Sequence, residues 1–240
     1  MILITSGCSF SECISDHIDT WPLHLQKFLD CEHHSCALGS QGNGLIMRKA
    51  LYKCNELLKN NDPQDLLVGI MWSGPARSDF YSDAKLKFEN SEGWQKNPTS
   101  FIPYDKGGWV IMNHHWNLKL SKIWYENYYN STYAQWQTLE YILHTQWYLE
   151  KHNIKYFMMC YTNEVFPIKF ENHSQLKWMY EQVNFSKFIS KEGCMEWCKK
   201  YGTYPVFLQD NTLGFHPTTE QHSEYTQKVI IPYLQENNLI

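Results

Sequence analysis

The sequence carries no surplus of positive charge. Its 21 Lys and Arg are outnumbered by 25 Asp and Glu, for a net charge of −4, and the basic residues are scattered along the chain. A surface that tracks phosphates needs a clustered basic face, so no nucleic-acid partner is expected. No apolar run approaches the roughly 20 residues that a membrane span requires, so no membrane partner is expected either. No basic segment precedes the short apolar start Met1–Ile4, which argues against a signal peptide and makes a cytoplasmic protein the expectation. Eight cysteines in 240 residues are too sparse for a disulfide scaffold. Several fall in predicted strands or helices (Cys36, Cys54, Cys160), where a thiol serves as a small apolar group, so a reduced state is expected. Metal-ligand spacing is also wanting. The run Cys31-Glu32-His33-His34-Ser35-Cys36 would point its ligands to opposite faces of a strand, and Cys194 and Cys198 lack a second pair, so no metal site is expected. Internal repeats and low-complexity segments are absent. So are a Walker lysine and the dinucleotide glycine spacing, and no cofactor is implied.

What the chain has in abundance is aromatic: ten Trp and sixteen Tyr, concentrated between Trp94 and Tyr161. Rings with polar tips suit a thick core, or a place where an apolar face meets water or a sugar. Around them, strand and helix patterns alternate. Ile2–Thr5, His34–Leu38, Asp65–Trp72, Ile154–Cys160 and Tyr204–Leu208 read as short buried strands. The run DLLVGIMW is continuous enough to be a central parallel strand covered on both faces. Helices are predicted from Pro22 with a stripe of Leu23, Phe28 and Leu29, from the Gly39–Gly44 turn to about Lys59, and from about Tyr133 to His152. The last of these carries a stripe of Trp136, Leu139, Leu143 and Trp147. Residues 174–201 read as helical pieces and Pro217–Asn237 as a closing helix. The alternation predicts a single domain, a three-layer α/β/α sandwich with a central parallel sheet of flavodoxin-like type. Ser73 to about Lys119 shows little periodicity and is too long for a loop. Within it, residues 84–118 are expected to form an aromatic-rich insertion, a cap with Trp94, Trp109 and Trp116 partly exposed, or an oligomer contact.

Ligands of such folds bind beyond the carboxyl ends of the strands. That edge collects Ser9, Gly42, Ser73 and the segment after Leu208. Gly7-Cys8-Ser9 places a serine just past the first strand, either as a turn residue or as a nucleophile. Gly39-x-x-Gly42-x-Gly44 ahead of a helix is a second strand-end signal, which could equally cradle a phosphate.

In order along the chain, these segments resemble the SGNH (GDSL-type) hydrolase superfamily. Gly7-Cys8-Ser9-Phe10-Ser11 is similar to its first block, with Cys8 where aspartate is usual. Leu38-Gly39-Ser40-Gln41-Gly42 resembles the second, and Met71-Trp72-Ser73 stands at the third, where the family has asparagine. Gly214-Phe215-His216-Pro217 resembles the last block, with its histidine. The resemblance implies a serine esterase with Ser9 as nucleophile and His216 as base, and an oxyanion hole from the backbone N–H groups of Ser9 and Gly42. Imidazole, with a pKa near neutrality, suits the proton transfer that a serine hydroxyl needs.

Two departures from the family pattern shape the expectations. The acid expected three residues before the histidine is Leu213 here, so either Asp210 reaches in or the site is a Ser-His dyad. The missing asparagine leaves Ser73 as a substitute oxyanion donor, and Arg77 as a charge for the substrate or oxyanion. Arg77 could instead pair with Asp79 or Glu12. Trp72, Trp109 and Arg77 are the expected substrate contacts. Cys8, beside Ser9, is a rival nucleophile whose side chain would point the other way on a sharp turn. The expected reaction is hydrolysis of a small acyl ester, an O-acetyl group on a carbohydrate being the class the aromatic wall suits. An acyltransferase would use the same residues, and a non-catalytic binding module would keep only the fold.

Overall fold

The computed structural model describes residues 1–12, 18–82, 101–104, 107–113, 119–166, 173–202 and 216–240. Four parallel strands, β1 (Ile2–Ser6), β2 (Glu32–Ser35), β3 (Leu66–Trp72) and β7 (Lys155–Cys160), form a sheet in the order β2-β1-β3-β7. A second, antiparallel sheet has the order β4-β6-β5, from β4 (Ser78–Ser82), β5 (Phe101–Tyr104) and β6 (Gly107–Met112). The helices are α1 (Trp21–Leu29), α2 (Asn43–Leu57), α3 (Lys119–Asn127), α4 (Ser131–Lys151), α5 (Ser174–Glu181), α6 (Cys194–Tyr201), α7 (Thr219–Tyr225) and α8 (Ile231–Glu236). A π-helical turn, Thr226–Ile230, joins the last two. Among the described residues, no helix is long and apolar enough to cross a membrane.

The period of two along each strand builds two cores. On one face Ile2, Ile4, Leu66, Val68, Ile70, Trp72, Tyr156, Met158 and Cys160 pack under α2, α4 and α5. On the other, Leu3, Leu67, Met71, Phe157 and Met159 pack under α1, α6, α7 and α8. This is the three-layer α/β/α arrangement with a central parallel sheet that the alternation predicts. Both faces of β3 are covered, which is why its sequence is uninterrupted apolar. Gly69 is the exception, and it makes room. A β-carbon there would come within 2.5 Å of the Phe157 ring and 3.0 Å of Trp21, two rings that meet edge to face at 6.0 Å.

Several expectations need local correction. β2 begins at Glu32 rather than His34 and carries the edge pattern of half-buried polar residues. There His33 Nε2 lies 2.8 Å from Thr5 Oγ1, and His34 pairs with Glu32 at 2.7 Å. In α1 the buried residues are Trp21, Pro22 and Leu25, while Phe28 is 50% exposed. Trp147 is likewise 50% exposed, because the seam of α4 runs through Leu139, Ile142, Leu143 and Leu149. The stretch that reads as aperiodic holds the three strands β4, β5 and β6, and α3 begins where it ends. Their pairing is antiparallel and short, so each strand alone gives too few alternations to register. The strand predicted at 204–208 lies outside the described residues, as do Trp94 and Trp116 of the expected cap.

Candidate active site

β1 is central, with β2 on one side and β3 on the other, so the chain reverses its direction of winding at the β1/β3 pair. Open α/β sheets leave a crevice at that point, outside the carboxyl ends. The turn after β1 occupies it. Cys8 C=O accepts from the N–H groups of Ser11 (2.9 Å) and Glu12 (3.2 Å), closing a helical turn that carries Ser9. Trp21 Nε1 donates to Ser11 Oγ at 2.9 Å and fixes the turn from below. Cys8 is fully buried in the second core and Ser9 is half-buried, which separates the two neighbouring candidates as the turn geometry requires.

His216 comes from the far end of the chain. Two residues on, Thr218 opens α7 with a capping box. Its Oγ1 accepts from Gln221 N–H, and Gln221 Oε1 accepts from Thr218 N–H. Thr219 Oγ1 also accepts from Asp19 N–H at 3.0 Å, tying this end to the segment ahead of α1. The result is the central observation of the site: His216 Nε2 lies 2.7 Å from Ser9 Oγ. Phe10 lies beside the imidazole, with ring centroids 5.0 Å apart, and holds it laterally. Asp210, Leu213, Gly214 and Phe215 lie outside the described residues.

The second strand-end turn is stapled to the first. Leu38 N–H donates to Gly7 C=O, and Gln41 Nε2 donates to both Gly7 C=O (2.5 Å) and Cys36 C=O (3.2 Å). Gly42 then caps α2 in extended backbone. A β-carbon on Gly42 would lie 2.5 Å from Asp79 Oδ2 and 2.8 Å from Arg77 C=O, so any side chain would force the loop away from the edge. Asn43 locks the third turn. Its Oδ1 accepts from Ser73 N–H (2.8 Å), while its Nδ2 donates to Ser73 C=O (2.9 Å) and Thr138 Oγ1 (3.1 Å). Ser73 Oγ is buried with no hydrogen-bond partner among the described residues.

The sequence does not single out Gln41 or Asn43, and it offers Asp79 only as a partner for Arg77. Asp79 Oδ2 accepts from Leu45 N–H and its Oδ1 pairs with Arg48, both at 3.1 Å, so a carboxylate already occupies the N-terminus of α2. Burial raises its pKa to about 6 against the pull of Arg48 and the Leu45 N–H. A second carboxylate, Glu12, accepts from Gly39 N–H. These two carboxylates take up backbone N–H groups that a phosphate cradle at this turn would need. The two pairings also remove both expected partners of Arg77.

Trp72, expected against a substrate, is fully buried, and its Nε1 donates to Met158 Sδ at 3.3 Å. It is a core residue because its side chain alternates to the α2/α4 face. Trp109 is half-buried, with the Arg48 guanidinium 4.8 Å over its ring and Tyr81 edge-on at 5.6 Å. Arg48 thus links the small sheet to the N-terminal turns of α2, beside the Gly42 loop.

Behind the imidazole sits a second, wholly buried histidine. His222 meets Phe10 at 6.4 Å, and burial, with His24 and His216 nearby, pushes its pKa down to about 3. The folded chain therefore refuses a proton that the unfolded chain takes up near pH 6.5, and stability is lost as pH falls from about 6.5 towards 3. The slope from this one group is about 1.4 kcal/mol per pH unit. His222→Phe is expected to flatten the acid limb of the unfolding midpoint by that amount between pH 6 and 4. Equal slopes in the two proteins would show that His222 is not held neutral.

The sequence matches, over residues 11–238, the family described as "Family of unknown function (DUF6071)". The chain belongs to this family. A comparison with curated proteins gives no match. Among solved structures, one titled "Crystal Structure of TesA" is similar, with a TM-score of 0.49 and 12% identity over 100% of each chain. Within this DUF6071 chain, then, the Ser9–His216 pair is read from its own geometry.

Proposed function

We propose that this DUF6071 chain is a serine ester hydrolase acting on a small acyl ester. The observation that carries the reading is the 2.7 Å contact between Ser9 Oγ and His216 Nε2, made by residues 207 apart in sequence at the carboxyl edge of a parallel sheet. The ordered resemblance of the strand-end segments to SGNH hydrolases supports it. In the reaction, His216 Nε2 takes the hydroxyl proton as Ser9 Oγ bonds to the acyl carbon. The oxyanion accepts from the backbone N–H groups of Ser9 and Gly42 and from the Ser73 hydroxyl. The tetrahedral intermediate then expels the alcohol, which leaves with the proton from His216. Water, activated by the same imidazole, releases the acid from acyl-Ser9. A hydroxyl acceptor in place of water would make the protein an acyltransferase.

A fluorophosphonate probe followed by peptide mass analysis tests the nucleophile. Labelling at Ser9 is expected, and an unlabelled protein would leave a non-catalytic module with this fold. The orienting acid is tested separately. Asp210→Asn should leave kcat for 4-nitrophenyl acetate within a few-fold if Ser9 and His216 act as a dyad or a more distant acid orients the imidazole, which is our expectation. A loss of ~10³ or more would instead make Asp210 the third member. An O-acetylated carbohydrate is the proposed natural class.

A further inference from the structure

The turn between β3 and β4 presents a cation that the described residues leave incomplete. Arg77 N–H donates to Gly74 C=O at 3.2 Å, and the Arg77 carbonyl abuts Gly42. From there the side chain runs across the carboxyl edge. Its guanidinium stands 5.0 Å over the Tyr161 ring and in hydrogen-bond contact with the Cys8 thiol. Tyr161 meets Phe10 edge to face at 5.3 Å, and Phe10 meets His216 at 5.0 Å. Arg77 is thus joined to the catalytic pair through one layer of rings, and its neighbour Cys8 is bonded directly to Ser9.

A guanidinium offers five donors in a planar fork. Here Nη1 is buried and has no hydrogen-bond partner among the described residues. Asp79 is taken by Arg48, Glu12 by Gly39 N–H, and no carboxylate of the described residues forms an ion pair with Arg77. Burying a charge without an ion-pair partner is costly unless something else completes it. Tyr161 and Cys8 offer a π face and a weak acceptor, and Glu164 pulls on the guanidinium without forming an ion pair. A guanidinium nitrogen left unpaired at this edge by the described residues matches an oxygen of an anion.

We infer that Arg77 recognises an anionic group, a carboxylate or phosphate, carried by the ester that Ser9 attacks. The inference rests on the esterase reading and narrows its substrate to charged esters. A neutral O-acetyl sugar would leave the fork unfilled, whereas an acetylated sugar acid or sugar phosphate would fill it.

The test pairs charged esters with their neutral methyl esters, after subtraction of uncatalysed hydrolysis. Mono-4-nitrophenyl succinate places the charge on the acyl side and 4-acetoxybenzoate on the alcohol side. 4-Acetoxyphenyl phosphate, paired with its dimethyl ester, distinguishes phosphate from carboxylate. In at least one pair the wild-type protein is expected to favour the anion ~10-fold or more in kcat/KM. Arg77→Met is expected to bring that ratio close to one, and Arg77→Lys to keep part of it. Should Arg77→Met not fold, a reduced ratio in Arg77→Lys carries the same conclusion, and an unchanged one overturns it.

No wild-type preference in any pair, or a preference that survives in Arg77→Met, overturns the inference. So does an equal fall for both members of a pair, which would make Arg77 an oxyanion donor. If no ester is hydrolysed and Ser9 resists the probe, the esterase reading fails by itself. Titration calorimetry of Ser9→Ala with succinate and with inorganic phosphate then decides. Binding lost on adding Arg77→Met supports the anion site, and absence of binding overturns it.

Discussion

Ser9→Ala is expected to lower the rate of 4-nitrophenyl acetate hydrolysis by at least ~10³ while leaving the folded state intact. Removing the nucleophile of a serine–histidine pair abolishes the covalent route, and only oxyanion and binding contributions remain. The stability change should be small, because Ser9 is half-buried and its hydroxyl meets a histidine at the rim rather than a core partner. The midpoint of thermal unfolding and the residual rate, measured on one preparation, separate the two effects. A folded Ser9→Ala protein with most of its activity would transfer the chemistry elsewhere. Cys8 is poorly placed to inherit it, since its side chain is fully buried.

The largest stability effect is expected at Asn43, a residue that does no chemistry in the proposed reaction. Its side chain satisfies both backbone groups of Ser73 and reaches Thr138 on α4, and all three residues are buried. In Asn43→Ala the Ser73 N–H and C=O would lose these partners in a buried setting. Each orphaned group costs about 1–3 kcal/mol, so a loss of ~2–6 kcal/mol is expected. For a chain of this size that lowers the unfolding midpoint by roughly 4–24 °C. If Ser73 donates to the oxyanion as proposed, activity should fall as well, since misplacement of about 1 Å can cost ~10²-fold. Asn43→Asp keeps the acceptor for Ser73 N–H and should lose less stability than the alanine variant. A midpoint unchanged within ~2 °C in Asn43→Ala would mean that the turn holds itself.

Much of the architecture is legible in the residues. Apolar runs such as LLVGIMW and KYFMMC are bounded by turn residues, and a strand buried on both faces has no other way to look. Pro22 at the first turn of α1 and the Asx-Pro pair ending the segment after α2 mark boundaries through local sterics alone. The small sheet was not legible. The pairing of β4 with β6 spans residues far apart in sequence, and neither strand carries enough alternation to signal it. Helix faces were legible only in part. Trp147 satisfies the helical spacing of its stripe, yet the seam of a 21-residue helix turns away from it.

For the site, the sequence determined the kinds of residue and their order: a serine past the first strand, a glycine-rich turn past the second, and a histidine before the closing helix. Those follow from local chemistry, because turn, cap and strand-end signals act over a few residues. Only the tertiary structure decided which atoms meet. Bringing Ser9 within 2.7 Å of His216 requires the strand order β2-β1-β3-β7 and the docking of α7 behind Phe10, both set by burial across the whole chain. Tertiary packing likewise sent Trp72 into the core and gave Asp79 to Arg48. It left Arg77 with no ion-pair partner among the described residues. A charge finds its partner by proximity in space, and spacing along the chain carries no record of that.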